Sequence, residues 1–220
     1  MKRFLRGGLL LLAVLGGVVA VWPVGQTAYG WWSQRSLQAA WRQETPRSET
    51  PQTPPPKTAQ PKRVLPKTVR PAKRRAAAPP LPTPHPAKRW RPTRLVIPDI
   101  GVDVMVVQGL DEASLRRGPG HDPNSDLPGE PGNCVIAGHR NVYGSWFYRL
   151  DELWAGSVIR LETSRRTYTY NVLEVTTVSE TDTTVLRAPE GVAPRLTLVT
   201  CTLPHTSDRI IALAELSSEP

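Results

Sequence analysis

Cysteine is nearly absent from this chain of 220 residues: Cys134 and Cys201 are the only two. A disulfide framework is thereby excluded, and at most one bridge is possible. Lysine stops altogether at Lys88, and the first 94 residues hold no acid except Glu44 and Glu49. Those 94 residues carry 18 of the 28 Lys+Arg, a surplus of 16, whereas the remainder sets 10 arginines against 17 acids, a deficit of 7. The overall charge of +9 therefore describes no part of the molecule. A basic arm is joined to an acidic domain, which argues against a nucleic-acid-binding fold. The arm is read instead as a solvated segment near anionic polymer or lipid headgroups. Internal repeats are also missing.

Charge is absent from Gly7 to Gln34, and Leu9 to Val21 is aliphatic apart from Gly16 and Gly17. A membrane span needs about 20 apolar residues, so the span is placed at 7–28, borrowing the flanking residues. Lys2, Arg3 and Arg6 precede it, which keeps a basic tail (1–6) in the cytoplasm and exports the rest of the chain. Trp22, Trp31 and Trp32 suit the far interface, where indole rings lie among headgroups. No clean small-x-small site comes after the aliphatic core, which favours an uncleaved signal anchor over a cleaved signal peptide.

Trp31, Arg35, Leu37 and Trp41 suggest a short juxtamembrane helix within 29–44. From 45 to 92 there is no apolar periodicity, and Pro alternates with Thr, Lys and Ala. Such a segment cannot bury enough surface to offset its ordering entropy. It is expected to be an extended, disordered spacer that either gives the adjoining domain reach or has no tuned length.

Residues 93–217 read as one folded β domain. Arg94–Ile97, Val102–Val107, Asn133–Gly138, Val158–Glu162, Tyr168–Val178, Leu196–Thr200 and Ile210–Leu216 are expected strands. Asp111–Arg117 fits a helical turn with Asp111 as N-cap, residues 118–132 read as loop throughout, and Ser145–Leu153 looks helix-like. Many short strands separated by turn signals point to a closed or nearly closed barrel.

Chemistry concentrates in two motifs. In TLVTC, Thr197 to Cys201, a β-rich strand delivers a cysteine at its end, and Arg209 opens the next strand. A nucleophilic thiolate needs partial exposure and a nearby cation. In VIAGHR, Val135 to Arg140, His139 comes after small Ala137 and Gly138 at another strand end. An imidazole is the group that takes the thiol proton and later protonates a leaving amine. Arg209 is placed to hold a carbonyl oxygen and the oxyanion that forms from it.

These motifs resemble the sortase family. RLVIPDIGVDVMVV resembles the family's opening strands, and GPGHDPNSDLPGEPGNCVIAGHR resembles the loop and histidine strand of its class D and class E types. The resemblance runs from about Thr93 to Glu215. It implies a mainly β fold, an eight-stranded barrel with short helices, preceded here by the transmembrane helix and Pro-rich linker. It also implies a membrane-tethered cysteine transpeptidase that needs no cofactor. The thiolate attacks the Thr carbonyl of an LPxTG-like sorting signal near the C-terminus of a substrate protein. A thioacyl-enzyme forms, and an amine from a cell-wall precursor or a pilin lysine resolves it. By motif position Cys201 is the nucleophile, His139 the general acid and Arg209 the substrate and oxyanion contact, with Thr200 lining the site. Two departures from the pattern bear on class and motif preference. Thr202 and Leu203 intervene before Pro204, and the segment from Cys201 to Arg209 is short, closer to class E in length.

Other readings stand beside this one. A Cys134–Cys201 disulfide is disfavoured, because Cys134 lies ~16 Å from His139 along an extended strand and bridged Cα atoms lie within about 7 Å; Cys134 reads as a small buried apolar residue. His121 reads as a loop residue, His205 as a weaker base and His85 as part of the linker. Asp122, Asp126 and Glu130 offer oxygen ligands without the spacing of a known calcium loop, so no metal site is expected. Tyr168, Tyr170 and Val172 alternate as core. A catalytically silent binding module and a cysteine hydrolase are the rival functions. Transpeptidases that use an SHGC-like motif are disfavoured, since no such motif occurs.

Overall fold

A computed structural model describes residues 25–43, 90–187, 193–203 and 206–217. The basic tail, the first part of the expected span, linker residues 45–89, His85 and His205 lie outside the described residues. Residues 25–43 are helical (α1), which covers the expected juxtamembrane helix and the last residues assigned to the span. Among the described residues no helix is long and apolar enough to cross a membrane.

Eight strands build the domain: β1 Thr93–Ile97, β2 Val102–Gln108, β3 Gly120–His121, β4 Asn133–Ala137, β5 Val158–Thr163, β6 Thr167–Ser179, β7 Arg195–Cys201 and β8 Asp208–Leu216. They close into a barrel in the order β1-β2-β3-β4-β7-β8-β6-β5, with β5 pairing back onto β1. Most pairs are antiparallel, but β2–β3 and β4–β7 are parallel. The β4–β7 pair matters for function, because parallel strands end on the same rim.

Alternation sets which side chains enter the barrel. In β1, Thr93, Leu95 and Ile97 are buried while Arg94 and Val96 are half-exposed. In β7 and β8 large faces small: Leu196 pairs with Ala214 and Leu198 with Ala212, and all four are buried. Such alternation fills a small barrel without voids. Each buried Leu or Ile contributes about 1.5–3 kcal/mol by removal from water. Tyr170 and Val172 join this core, with Tyr168 packed against it.

Two local expectations are corrected. The loop expected over 118–132 contains β3, which pairs with both β2 and β4. Two residues are too few to show a period, and Gly120 is needed because a Cβ there would lie 2.1 Å from the Gly109 carbonyl oxygen. The helix-like stretch at 145–153 is a series of turns with one 3-10 turn, Leu150–Glu152. Its buried residues Trp146, Phe147, Leu150 and Leu153 do have a helix-like spacing, but Ser145 at its start takes a positive φ of 52°, which an α-helix does not accommodate. A short helix (α2, Glu112–Leu115) does form where expected, and the Asp111 side chain accepts a hydrogen bond from the Ser114 amide.

Candidate active site

Three of the four residues singled out in the sequence lie at one rim of the barrel. Strands β4 and β7 run in parallel register from Asn133 opposite Arg195 to Ala137 opposite Val199. The ladder continues past the end of β4, where the Gly138 amide donates to the Val199 carbonyl at 3.0 Å. One step further brings His139 level with Cys201. On the other side of β7, Cys201 is paired directly with Arg209 of β8. Thiol, imidazole and guanidinium thus come from the ends of three adjacent strands.

Cys201 is exposed and free, whereas Cys134 is free and buried. Cys134 pairs with Leu196, five residues up β7 from Cys201, which rules out a bridge between them. Burial raises the Cys134 thiol far above its ordinary range, so it is an inert core residue.

His139 is half-buried, and its Nε2 atom is inaccessible and without a hydrogen-bond partner among the described residues. Burial pulls its pKa below the usual histidine value; Glu112 raises it and Arg116 opposes that rise. The neutral imidazole is therefore favoured at rest in the surroundings described. Gly138 is obligatory just before it, because a Cβ would press on the Phe147 ring at 2.7 Å. The Phe147 amide in turn donates to the His139 carbonyl at 3.3 Å. Arg140 secures the loop beyond by an ion pair to Asp151 at 2.9 Å and a hydrogen bond to the Tyr148 carbonyl.

The Arg209 guanidinium is turned toward Glu180. Its Nη2 atom is 2.8 Å from the Glu180 carboxylate, and Nη1 donates to the Asp208 carbonyl at 3.0 Å. Thr200 is buried, and its hydroxyl donates to the Gly138 carbonyl at 2.8 Å. That bond ties β7 to the turn carrying His139; the side chain is not presented to solvent.

His121 serves the loop. It is buried, it stacks on Trp90 with ring centroids 4.2 Å apart, and its Nε2 lies 3.1 Å from both the Asp126 carbonyl and the Ser125 hydroxyl. Asp122 accepts from the Asn124 amide, Asp126 from the Asn133 amide and Glu130 from the Leu127 amide, so all three carboxylates brace turns.

Two residues of the site were not visible in the sequence. Glu180 meets Arg209 only through the β6–β8 register, in which Ser179 pairs with Asp208. Tyr143 sets its ring against His139, with centroids 5.2 Å apart. Gly144 was the available sign, since glycine punctuates loops and turns. Tyr143 and Ser145 both take positive φ, 51° and 52°. Non-glycine residues of this kind cost about 1–3 kcal/mol each and persist where surrounding contacts fix them.

Over its barrel domain the chain is similar to known proteins. A family model described as Sortase domain matches residues 95–217. Sortase D of Bacillus subtilis (strain 168) is 34% identical over 107 residues, covering 49% of this chain and 52% of that protein. Sortase A of Streptococcus agalactiae serotype III (strain NEM316) is 30% identical over 128 residues, covering 56% and 51%. The chain thus spans about half the length of the curated relatives it matches. Among solved structures, a Clostridium perfringens Sortase D5 transpeptidase superposes with a TM-score of 0.54 at 33% identity, covering 58% of this chain and 79% of that one. Sortase E from Streptomyces avermitilis gives 0.53 at 30% identity, covering 58% and 89%.

Proposed function

The chain belongs to the sortase family, and from that premise we propose that it is a membrane-anchored cysteine transpeptidase acting on proteins with an LPxTG-like sorting signal. The observation that carries this reading is the convergence of Cys201, His139 and Arg209 on one rim, with Cys201 exposed and paired across the ladder with Arg209.

The chemistry comes from those positions. His139, neutral at rest, takes the Cys201 proton as the sulfur attacks the carbonyl carbon of the Thr in the signal. Arg209 donates to the oxyanion while the tetrahedral centre exists. As that centre collapses the C–N bond to the next residue breaks, and His139 returns the proton to the departing amine. A thioester on Cys201 remains. A primary amine, from a cell-wall precursor or a pilin lysine, then attacks the thioester carbonyl, gives its proton to His139 and releases the thiol.

The proposed location rests on the uncharged run 7–34 behind Lys2, Arg3 and Arg6. Tyr29, Trp31 and Trp32, exposed on α1 just beyond the proposed span, supply the amphipathic rings expected at an outer interface.

Intact-mass spectrometry tests the reading. The full chain is mixed with a library of LPxTG-like peptides and triglycine. A thioacyl adduct on Cys201 that disappears as a triglycine-ligated peptide accumulates is the expected result, absent in Cys201→Ala. Cleavage without ligation would make the protein a hydrolase. An unmarked Cys201 that thiol reagents label readily would favour a binding module.

A further inference from the structure

Resting on the assignment of His139 as the proton-transfer group, we propose that helix α1 sets the orientation of His139 through Tyr143, which makes Tyr143 a positioning residue and α1 a working part of the catalytic domain.

An acid–base histidine needs its ring held, and a carboxylate or carbonyl on one nitrogen usually does this. No such partner faces His139 Nε2 among the described residues. The aromatic ring packed against it is that of Tyr143, inclined at 48°. Tyr143 is itself held from several directions. The Arg116 guanidinium lies over its ring at 5.4 Å. Gly30 of α1 packs so closely beneath its peptide that a Cβ would fall 2.6 Å from the Tyr143 carbonyl oxygen and 2.8 Å from its carbon. The next helical residue, Trp31, meets Trp146 edge-on at 5.0 Å, and the Trp146 ring occupies the space a Cβ on Gly144 would need. These contacts hold Tyr143 and Ser145 in the left-handed conformation that they would otherwise leave.

The helix is seated firmly enough to do this. Gln34, one turn after Gly30 on the same face, fills the free edge of β2. Its Oε1 accepts from the Met105 amide at 2.7 Å, and its Nε2 donates to the Met105 and Arg117 carbonyls, each at 2.9 Å. Gly118 leaves the room: a Cβ there would lie 2.2 Å from Gln34 Nε2. Ser33 and Gln34 are both 3% exposed. Two glycines and a glutamine therefore specify one seat for α1, and the seat ends under Tyr143.

The test uses the full chain and the acid limb of the pH profile for thioacyl formation, a readout that reports His139 rather than overall folding. Tyr143→Ala is expected to lower the acylation rate about tenfold, with little change in KM, and to move the acid limb. Tyr143→Phe, which keeps the ring, should recover most of the loss. Gly30→Ala raises intrinsic helix propensity, so any penalty it brings reports the clash with Tyr143; it should reproduce the shift of the acid limb. Combining it with Tyr143→Ala should add nothing further. The proposal is overturned if Gly30→Ala and Tyr143→Ala leave rate and acid limb unchanged, or if their effects simply add. Failure of the underlying assignment looks different: His139→Ala would retain thioacyl formation.

Discussion

Cys201 and Arg209 stand opposite one another in the β7–β8 ladder, yet the Arg209 guanidinium is turned toward Glu180, 2.8 Å from its carboxylate. The pair is partly solvated, with side chains 30% and 47% exposed. It therefore contributes little to stability, on the order of 0–1 kcal/mol. Its consequence follows from the role proposed for Arg209: a carboxylate would compete with the substrate oxygen for the same donors. Glu180→Gln should leave the melting temperature nearly unchanged and raise kcat/KM for the sorting peptide by about two- to fivefold at low salt, the gain shrinking as salt screens the pair. A decrease in kcat/KM would instead show that Glu180 aims the guanidinium.

Removing the guanidinium is the harsher change. Arg209→Ala should lower acylation by ~10²–10³-fold, the range for loss of one oxyanion donor. The side chain is half-exposed and its ion pair is solvated, so urea unfolding should shift little. Near-normal acylation in this variant would remove Arg209 from the mechanism.

The strands were legible as short β-branched and apolar runs bounded by turn residues, and the candidate site residues were legible because they sit at strand ends. The features that escaped detection depend on pairing between distant segments. The buried face of α1 is Gly30, Ser33 and Gln34, a small and polar stripe. A search for apolar periodicity sees Trp31, Leu37 and Trp41 instead and finds no reason to dock the helix. Only the unpaired edge of β2 gives Gln34 its place, and that edge exists because β3 pairs with β2 through just two residues. Glu180 is a similar case: 29 residues separate it from Arg209, and only the β6–β8 register joins them.

Acidification should weaken the fold through His121. Burial lowers its pKa below the ordinary 6.5, a shift that Asp122, Asp126 and Glu130 only partly oppose. The unfolded chain thus binds the proton more readily than the folded one. The stability that the neutral ring contributes is complete above about pH 6.5 and is lost as pH falls through that value toward the lower folded pKa. Melting temperatures between pH 7.5 and 5 should fall more steeply for the wild-type chain than for His121→Gln. Parallel slopes would show that other groups govern the acid sensitivity.

The seat of α1 also carries a measurable stability. Gln34→Ala strips the partners from the Met105 amide and from the Met105 and Arg117 carbonyls at once. A buried polar group left unpaired costs about 1–3 kcal/mol, so three together would cost several if α1 stayed in place. The helix has an alternative: it can lift away and let water satisfy the β2 edge, which limits the loss to the free energy of docking. The two cases separate in denaturant. If α1 stays seated, the urea midpoint drops while the slope m is unchanged. If it lifts, the native state exposes more surface, m decreases, and amide exchange at Met105 accelerates at pH values where the barrel remains folded. Either outcome would establish that Gln34 joins helix and barrel. An unchanged midpoint, slope and exchange rate would mean that α1 does not bear on the barrel in solution, and Tyr143 would then have to hold His139 without it.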